Sequence, residues 1–277
     1  MLLRRLAQIG SAILYNANII SDIPAKYINS GLCVPGMNCM YCPAAVTGCP
    51  LGMAQRIFSG GLRSIPLGIV ACLLLFGLLF GRLVCGWLCP FGLLQDLLDK
   101  APLPKIKKSR WTRRLSYLKY IIGIVFVIVL PLLYFYASNK QVQAFCQNLC
   151  PVNALTMELF TISYGSFSLS TLLHGGGLVL LPVLLSGLFI FRPYCRFLCP
   201  LGAFYGLFNR YALLSVKLDE AKCRHCGACM RVCPMDCQKV GDRECISCGN
   251  CINACKFGAI CSGAALGKVG KEQVKAH

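Results

Sequence analysis

The C-terminal part of the chain contains eight cysteines whose spacing is suited to holding clusters of iron and sulfur. Each half of the set has three cysteines at intervals of three residues and a fourth cysteine four residues later. Three thiolates on one tight loop can hold three corners of a [4Fe–4S] cubane, while the fourth reaches the other cubane. The two halves are Cys223, Cys226, Cys229 and Cys233, and Cys245, Cys248, Cys251 and Cys255. The spacing therefore predicts two clusters.

This doubled spacing resembles that of bacterial ferredoxins with two [4Fe–4S] clusters. The resemblance implies crossed ligation, with one cluster on Cys223, Cys226, Cys229 and Cys255 and the other on Cys245, Cys248, Cys251 and Cys233. Lys256 departs from the pattern, in which a proline commonly follows the last cysteine. A zinc ribbon is the alternative, but zinc sites take their ligands in two pairs. Cys237 and Cys261 fall outside the pattern and are expected to be free, and His225 is expected to face solvent.

A second pattern, Cys-x3-Cys-Pro, occurs three times in apolar surroundings. Cysteines four residues apart share one face of a helix. The proline suits the first turn of the next helix, whose free N–H groups favour a thiolate or an anionic cluster. The copies are Cys85/Cys89/Pro90, Cys146/Cys150/Pro151 and Cys195/Cys199/Pro200, and an N-terminal group adds Cys33, Cys39, Cys42 and Cys49. Cys72 is explained as a small apolar residue of a helix.

The composition indicates a membrane protein rather than an ordinary soluble domain. Of 277 residues, 56% are hydrophobic and only 14% are charged. The 21 cysteines could belong to a secreted disulfide scaffold, but such a scaffold lacks long apolar runs, so metal ligation is favoured. The net charge of +18 suggests nucleic-acid binding at first. The basic residues are instead explained by membrane topology, and no nucleic-acid partner is expected.

Three uncharged stretches, 65–81, 120–137 and 175–191, approach the ~20 residues that a membrane crossing needs. A fourth candidate, 6–28, contains polar residues and has an amphipathic interfacial helix as its alternative. Eight basic residues lie between positions 100 and 119. The positive-inside rule therefore places this loop, both termini and the ferredoxin segment in the cytoplasm. The prediction is a four-span protein of the cytoplasmic membrane.

This topology assigns the remaining cysteines to two faces of the membrane. The pairs Cys85/Cys89 and Cys195/Cys199 both fall at the cytoplasmic face, where together they supply the four ligands of one further cluster. The opposite side has six cysteines, enough for one cluster with two to spare. These are Cys33, Cys39, Cys42, Cys49, Cys146 and Cys150. A cluster or a dithiol/disulfide relay is possible there.

Each half of the membrane part has the order span, outer Cys-Pro, span, inner Cys-Pro, which indicates an internal duplication. In combination with the double ferredoxin motif, this order resembles the membrane polyferredoxin family. That family includes the quinol-dehydrogenase subunit of periplasmic nitrate reductase and the membrane part of nitrous-oxide-reductase regulators. The resemblance covers about residues 1–262. It implies a duplicated all-α transmembrane bundle (1–216), a small α+β ferredoxin domain with two [4Fe–4S] clusters (217–262) and a basic tail (263–277).

The expected function is electron transfer through [4Fe–4S] clusters between a cytoplasmic donor and an extracytoplasmic or membrane acceptor. Expected partners are membrane lipid and redox proteins on one or both faces, with a possible quinone near His174. Three histidines are too few for a transmembrane haem with paired axial ligands. The alternatives are a quinol dehydrogenase subunit that feeds a partner reductase, and a redox sensor or maturation factor.

Overall fold

The computed structural model describes most of the chain. The described residues are 2–16, 34–39, 42, 45, 48–60, 67–106, 109–163 and 175–263. Three expectations lie wholly or partly outside them: a ligand role for Cys33, a quinone site near His174, and a membrane span continuing from residue 17 to residue 28. The basic tail, apart from residue 263, also lies outside the described residues.

The described part of the chain is mostly helical. Helix α6, Arg110–Ser138, includes a seven-residue π-helical stretch, Gly123–Val129. The part of the chain before residue 217 is called the membrane segment, after its predicted location. Its other helices are α1 (Leu2–Tyr15), α2 (Pro50–Ser59), α3 (Leu67–Phe80), α4 (Leu83–Trp87), α5 (Pro90–Leu98), α7 (Ala144–Asn148), α8 (Pro151–Ser163), α9 (Gly176–Phe189), α10 (Pro193–Phe197) and α11 (Pro200–Phe208). All of these helices except α1 contribute residues to a common hydrophobic core.

Four of these helices, α2, α5, α8 and α11, begin at a proline that directly follows a cysteine. Proline has no N–H to leave unpaired and its fixed φ suits the first helical position. The prediction that Cys-Pro marks a helix start is therefore confirmed. At α11 the Sγ of Cys199 accepts a hydrogen bond from the backbone N–H of Gly202 at 3.3 Å. Each cysteine is thus placed at a helix N-terminus, where partial positive charge favours a thiolate.

Within the described residues, only α6 is long and apolar enough to cross a membrane by itself. The apolar parts of α3 and α9 coincide with two other predicted spans but are shorter, at 14 residues each. Helix α1 ends at Tyr15, so its described part is too short to cross. The long apolar helix is present as expected, and the four-span topology stays a prediction.

The outer surface of the membrane segment is rich in large apolar side chains. Helix α1 buries Gln8 and Ser11 while Leu6 and Ile13 face outward, at 55% and 57% exposed. Large apolar residues are also exposed on α3, α6 and α9, and they include Leu74, Leu75, Leu78, Ile121, Ile124, Leu133, Leu178, Leu181 and Leu185. A soluble monomer rarely exposes so large an apolar surface.

The cysteine-rich segment after α11 is closed by a two-stranded antiparallel sheet. Strand β1 (Val216–Leu218) pairs with β2 (Ile260–Ser262), with Val216 opposite Ser262. Between the strands lie a 3₁₀ turn (Glu220–Lys222) and the short helices α12 (Ala228–Arg231) and α13 (Asn250–Ala254). Met235 and Ile246 of this segment are buried in the same core as residues of the membrane segment. The two segments are therefore packed together.

Candidate iron–sulfur sites

The first cysteine cavity, the distal site, combines residues from both ends of the ferredoxin motif. It is lined by Cys223, Cys226, Cys229 and Cys255. Gly227, with φ of +71°, allows the turn that leads into α12 after Cys226. Cys226 and His225 are both exposed, so the expectation that His225 faces solvent is confirmed. The distal site groups the cysteines in the crossed arrangement that the ferredoxin resemblance implies.

The remaining four cysteines of the motif form the docked site, on the side of the segment that faces the helices. They are Cys233, Cys245, Cys248 and Cys251. Burial, followed by the charges of Cys245, Cys248 and Cys233, raises the pKa of the Cys251 thiol to about 12. Cys237, which falls outside the ferredoxin spacing and was expected to be free, is 8% exposed and lies against the thiols of Cys233 and Cys245. This site therefore has a fifth thiol in its wall.

A third group of cysteines, which we call the first buried site, combines residues from the two halves of the membrane segment. Its cavity is lined by Cys85, Cys89, Cys195 and Cys199, with Val84, Leu201 and the segment Pro35–Met37. All four thiols are buried. The internal duplication predicts this pairing of Cys85/Cys89 with Cys195/Cys199, and the structure places them together.

A fourth group of cysteines, which we call the second buried site, contains four of the six cysteines that the predicted topology assigned to the outer side. Its cavity is lined by Cys39, Cys49, Cys146 and Cys150, together with Phe145, Val152 and Asn153. The Sγ of Cys39 lies 3.3 Å from Asn153 Oδ1. Cys42 is buried but does not line this cavity.

The two buried sites adjoin each other, although the predicted topology assigned them to opposite faces of the membrane. Met37 lines both cavities, and its Sδ lies 3.5 Å from the Sγ of Cys199. The segment that carries Met37 is drawn between the two halves by hydrogen bonds from Tyr205 Oη to the Pro35 carbonyl and from Asn38 Nδ2 to the Tyr15 carbonyl. The expectation of one site at each face differs from this geometry.

Two hydrogen bonds of Gln55 determine where along α6 the second buried site lies. Gln55 Nε2 donates to the carbonyl of Phe126, and Gln55 Oε1 accepts from the N–H of Cys146. At 1.5 Å per residue, Phe126 lies about 10 Å from Lys119 and about 18 Å from the end of the helix at Ser138. The second buried site therefore lies beside the middle of α6.

The docked site packs directly on the first buried site. Gly86, next to Cys85, approaches Ile246, next to Cys245, so closely that a Cβ on Gly86 would lie 2.2 Å from the Ile246 carbonyl oxygen. Trp87 Nε1 donates a hydrogen bond of 3.1 Å to the carbonyl of Ser247. Only glycine permits this approach of the two backbones. The contact joins a loop of each site.

Buried ion pairs hold the ferredoxin segment against the helices. Glu244 accepts hydrogen bonds from Arg82 at 2.5 Å and from Lys119 at 2.6 and 2.7 Å, and all three side chains are fully buried. Burial alone would raise the pKa of Glu244, but Arg82 and Lys119 lower it to about 2. Two further pairs, Arg113–Asp242 and Arg196–Asp236, lie in the same interface.

Two of the buried arginines are related by the duplication, and the cysteine pattern alone did not reveal them. Arg82 and Arg192 each stand three residues before the first cysteine of an inner pair. Arg82 Nη2 donates to the Cys195 carbonyl, and Arg192 Nη1 donates to the Cys85 carbonyl. Each half of the membrane segment thus donates an arginine hydrogen bond to a cysteine carbonyl of the other half. The signal in the sequence is the repeated Arg-x2-Cys-x3-Cys-Pro.

The charges around the first buried site suit an anionic cluster. Arg82 and Lys119 share Glu244, while Arg192 and Arg4 share Asp96, so four cations and two carboxylates leave two positive charges. A [4Fe–4S] core with four thiolates carries about two negative charges. The donor set and its surroundings therefore fit such a cluster.

The described residues contain no group of three or more His, Cys, Asp or Glu side chains placed to hold a single metal ion. A [4Fe–4S] cluster is a body of eight atoms, and its four thiolates stand farther apart than four ligands of one ion. Four cysteines in one cavity are the ligand set of a [4Fe–4S] cluster.

Comparison with known proteins identifies two family models, both described as 4Fe-4S binding domains. One matches residues 64–110, 121–160 and 172–219, which contain the first buried site and two cysteines of the second. The other matches residues 216–239, in the ferredoxin segment. No solved structure matches the chain.

Three relatives show the range of similar proteins. The chain is 30% identical to an uncharacterized protein of Methanocaldococcus jannaschii, over 67% of this chain and 64% of the relative. It is 28% identical to the methylamine utilization ferredoxin-type protein MauN of Methylobacillus flagellatus, over 67% of this chain and 60% of that one. It is 30% identical to the ferredoxin-type protein NapH of Haemophilus influenzae, over 66% of this chain and 57% of that one. The match thus spans less than two thirds of each relative's length. With the iron–sulfur domain models and these ferredoxin-type relatives, the chain belongs to the membrane polyferredoxin family.

Proposed function

We propose that the chain is an integral-membrane electron carrier whose four cysteine sites each hold a [4Fe–4S] cluster. A cluster of this type accepts and releases single electrons at a potential set by its surroundings. The proposal rests on the contacts between neighbouring sites. The docked site contacts the first buried site through Gly86 and Ile246, and the first buried site adjoins the second buried site at Met37.

The proposed ligands are the four cysteines of each of the four sites. They are Cys223, Cys226, Cys229 and Cys255; Cys233, Cys245, Cys248 and Cys251; Cys85, Cys89, Cys195 and Cys199; and Cys39, Cys49, Cys146 and Cys150. Cys42, which does not line the second buried cavity, is left out of this set. The number of clusters proposed is therefore four.

The proposal places the membrane segment in the lipid bilayer with the ferredoxin segment in the cytoplasm. Its supports are the exposed leucines and isoleucines of α1, α3, α6 and α9 and the length of α6. The basic residues in the first turns of α6 lie on the same side as the ferredoxin segment, since Arg113 contacts Asp242 and Lys119 contacts Glu244. Positive charge on that side favours a cytoplasmic location.

A buried tyrosine between the two buried sites suits these sites to electron transfer from one to the other. Tyr194 is fully buried and lies close to Cys195 and Cys199 of the first buried site and to Cys49 and Cys150 of the second. The exposed distal site is the one that a soluble redox partner can reach, because Cys226 lies at the surface. The second buried site is the other end of the row.

A second candidate function is exchange of electrons with a membrane quinone, as in a quinol dehydrogenase. The observation that favours it is the position of the second buried site beside the middle of α6, far from the end of the helix. Oxidation of a short-chain quinol by the purified chain distinguishes this function. Electron delivery to an extracytoplasmic protein without any quinone would support the transmembrane route instead.

The docking contact provides a direct test of the proposed row. Gly86→Ala puts a methyl group 2.2 Å from the Ile246 carbonyl oxygen, where about 3.0 Å is the closest approach of real Cβ atoms, so the two loops must separate. We expect severalfold slower electron transfer from the ferredoxin segment to the first buried site, measured by rapid freezing and electron paramagnetic resonance. Gly68→Ala in α3 is the matched control, because a Cβ there meets nothing within 4 Å. Equal rates in both variants would reject this route.

A further inference from the structure

A large cavity lies beside the docked site, where α6 and α11 meet the ferredoxin segment. Its volume is about 420 Å³, and its lining includes Tyr117, Tyr120, Arg210, Tyr211, Lys239 and Arg243. A cavity of this size is in the range that binds small ligands. It contains none of the proposed cluster ligands, so the electron-transfer function does not account for it.

The polar groups of this cavity suit a phosphate. Arg210, Lys239 and Arg243 are cationic, and the one carboxylate in the lining, Asp242, accepts hydrogen bonds from Arg113 and from the Gln238 N–H. Arginine and lysine are the side chains that recognise phosphate oxygens. The lining thus has a net positive charge available to a ligand.

Three buried donor atoms on two side chains of the cavity wall have no hydrogen-bond partner in the described part of the chain. They are the Nε and Nη2 of Arg243 and the Oη of Tyr120. The Nε of Arg243 lies 3.7 Å from Glu244 Oε1, beyond hydrogen-bonding distance. The guanidinium is held with its Cζ 4.0 Å from the ring centre of Tyr117. Buried donors are normally paired, so an acceptor from a ligand is the simplest partner.

The position of the cavity identifies the source of the phosphate. It lies at residues 117–120 of α6, where the basic stretch gives way to the apolar one, and three of its lining residues are tyrosines. Tyrosine and basic residues at such a boundary are typical of the lipid headgroup level. Leu207 and Tyr211 at its edge are 61% and 70% exposed, which leaves an apolar path for acyl chains.

We propose that this cavity binds the phosphate headgroup of an anionic phospholipid. The inference rests on the proposed membrane location. Arg243 precedes Glu244 of the buried ion cluster, and its carbonyl accepts a hydrogen bond from Arg82. A bound headgroup would therefore also hold the ferredoxin segment against the helices.

The test is native mass spectrometry of the full chain in detergent micelles, titrated with phosphatidylglycerol or phosphatidylcholine. We expect preferential retention of one phosphatidylglycerol. Arg210→Gln and Lys239→Gln, both at exposed positions, should each weaken that binding about fivefold. Lys217→Gln, an equal charge change on exposed β1 outside the cavity, should leave it unchanged.

Three outcomes would overturn the proposal: no preference for phosphatidylglycerol, equal binding by all variants, or displacement of the lipid by millimolar inorganic phosphate, which would make this a free-phosphate site. A separate measurement covers the underlying function. Release of the chain from cell membranes by alkaline carbonate would refute the membrane location, whatever the micelle titration shows.

Discussion

Cys89→Ser and Cys199→Ser are each expected to abolish the same cluster. Cys89 and Cys199 belong to different halves of the chain but line one cavity, and serine is a poor replacement for a thiolate ligand of iron. Each variant should lose about four iron atoms per chain. The double variant should lose no more than either single one, because ligands of one cluster act as a unit.

Cys72→Ser is the control for this pair, since Cys72 lies in α3 and lines none of the four-cysteine cavities. It should retain the full iron content and the full spectrum. Additive losses in the double variant would show that Cys89 and Cys199 serve separate sites, and would defeat the assignment of the first buried site.

Glu244→Gln is expected to destabilise the docked ferredoxin segment by about 3–5 kcal/mol, the usual cost of removing one member of a buried ion pair. The substitution leaves Arg82 and Lys119 fully buried without their shared carboxylate. The stabilisation depends on the charged form of Glu244. Because its pKa falls from 4.5 to about 2 on folding, this contribution is present above pH 4.5 and is lost as the pH drops from 4.5 towards 2.

Hydrogen exchange of residues 216–263 measures this effect, since loss of docking should raise exchange throughout the segment. Glu220→Gln, at an exposed position of the 3₁₀ turn, is the matched control and should exchange like the unmodified chain. Similar protection in both variants would mean that the ion cluster does not hold the segment in place.

Much of the arrangement follows from the spacing of the cysteines, because spacing determines which residues share a loop or a helix start. The Cys-Pro helix starts were predicted on this basis, and the grouping of Cys85/Cys89 with Cys195/Cys199 follows from the duplication. The charge partners were not predicted. Arg82 and Arg192 occupy equivalent places in the two repeats, but their partners, Glu244 and Asp96, come from unrelated parts of the sequence.

The adjacency of the two buried sites could not be predicted from hydropathy. It depends on Met37, in an irregular segment that has neither a helical nor a strand period and is held by contacts to distant residues such as Tyr205. The burial of Cys237 beside Cys233 and Cys245 is likewise a result of folding. A regular cysteine spacing identifies ligands, but it does not show which additional thiols pack against them.

The iron and acid-labile sulfide content of the anaerobically purified full chain tests the central claim most directly. Mössbauer spectroscopy on the same sample should assign all of the iron to [4Fe–4S] clusters. Four such clusters predict about sixteen iron and about sixteen sulfide per chain, and Cys150→Ser should lower both by about four. About eight of each, unchanged by Cys150→Ser, would contradict the account and leave clusters only in the ferredoxin segment.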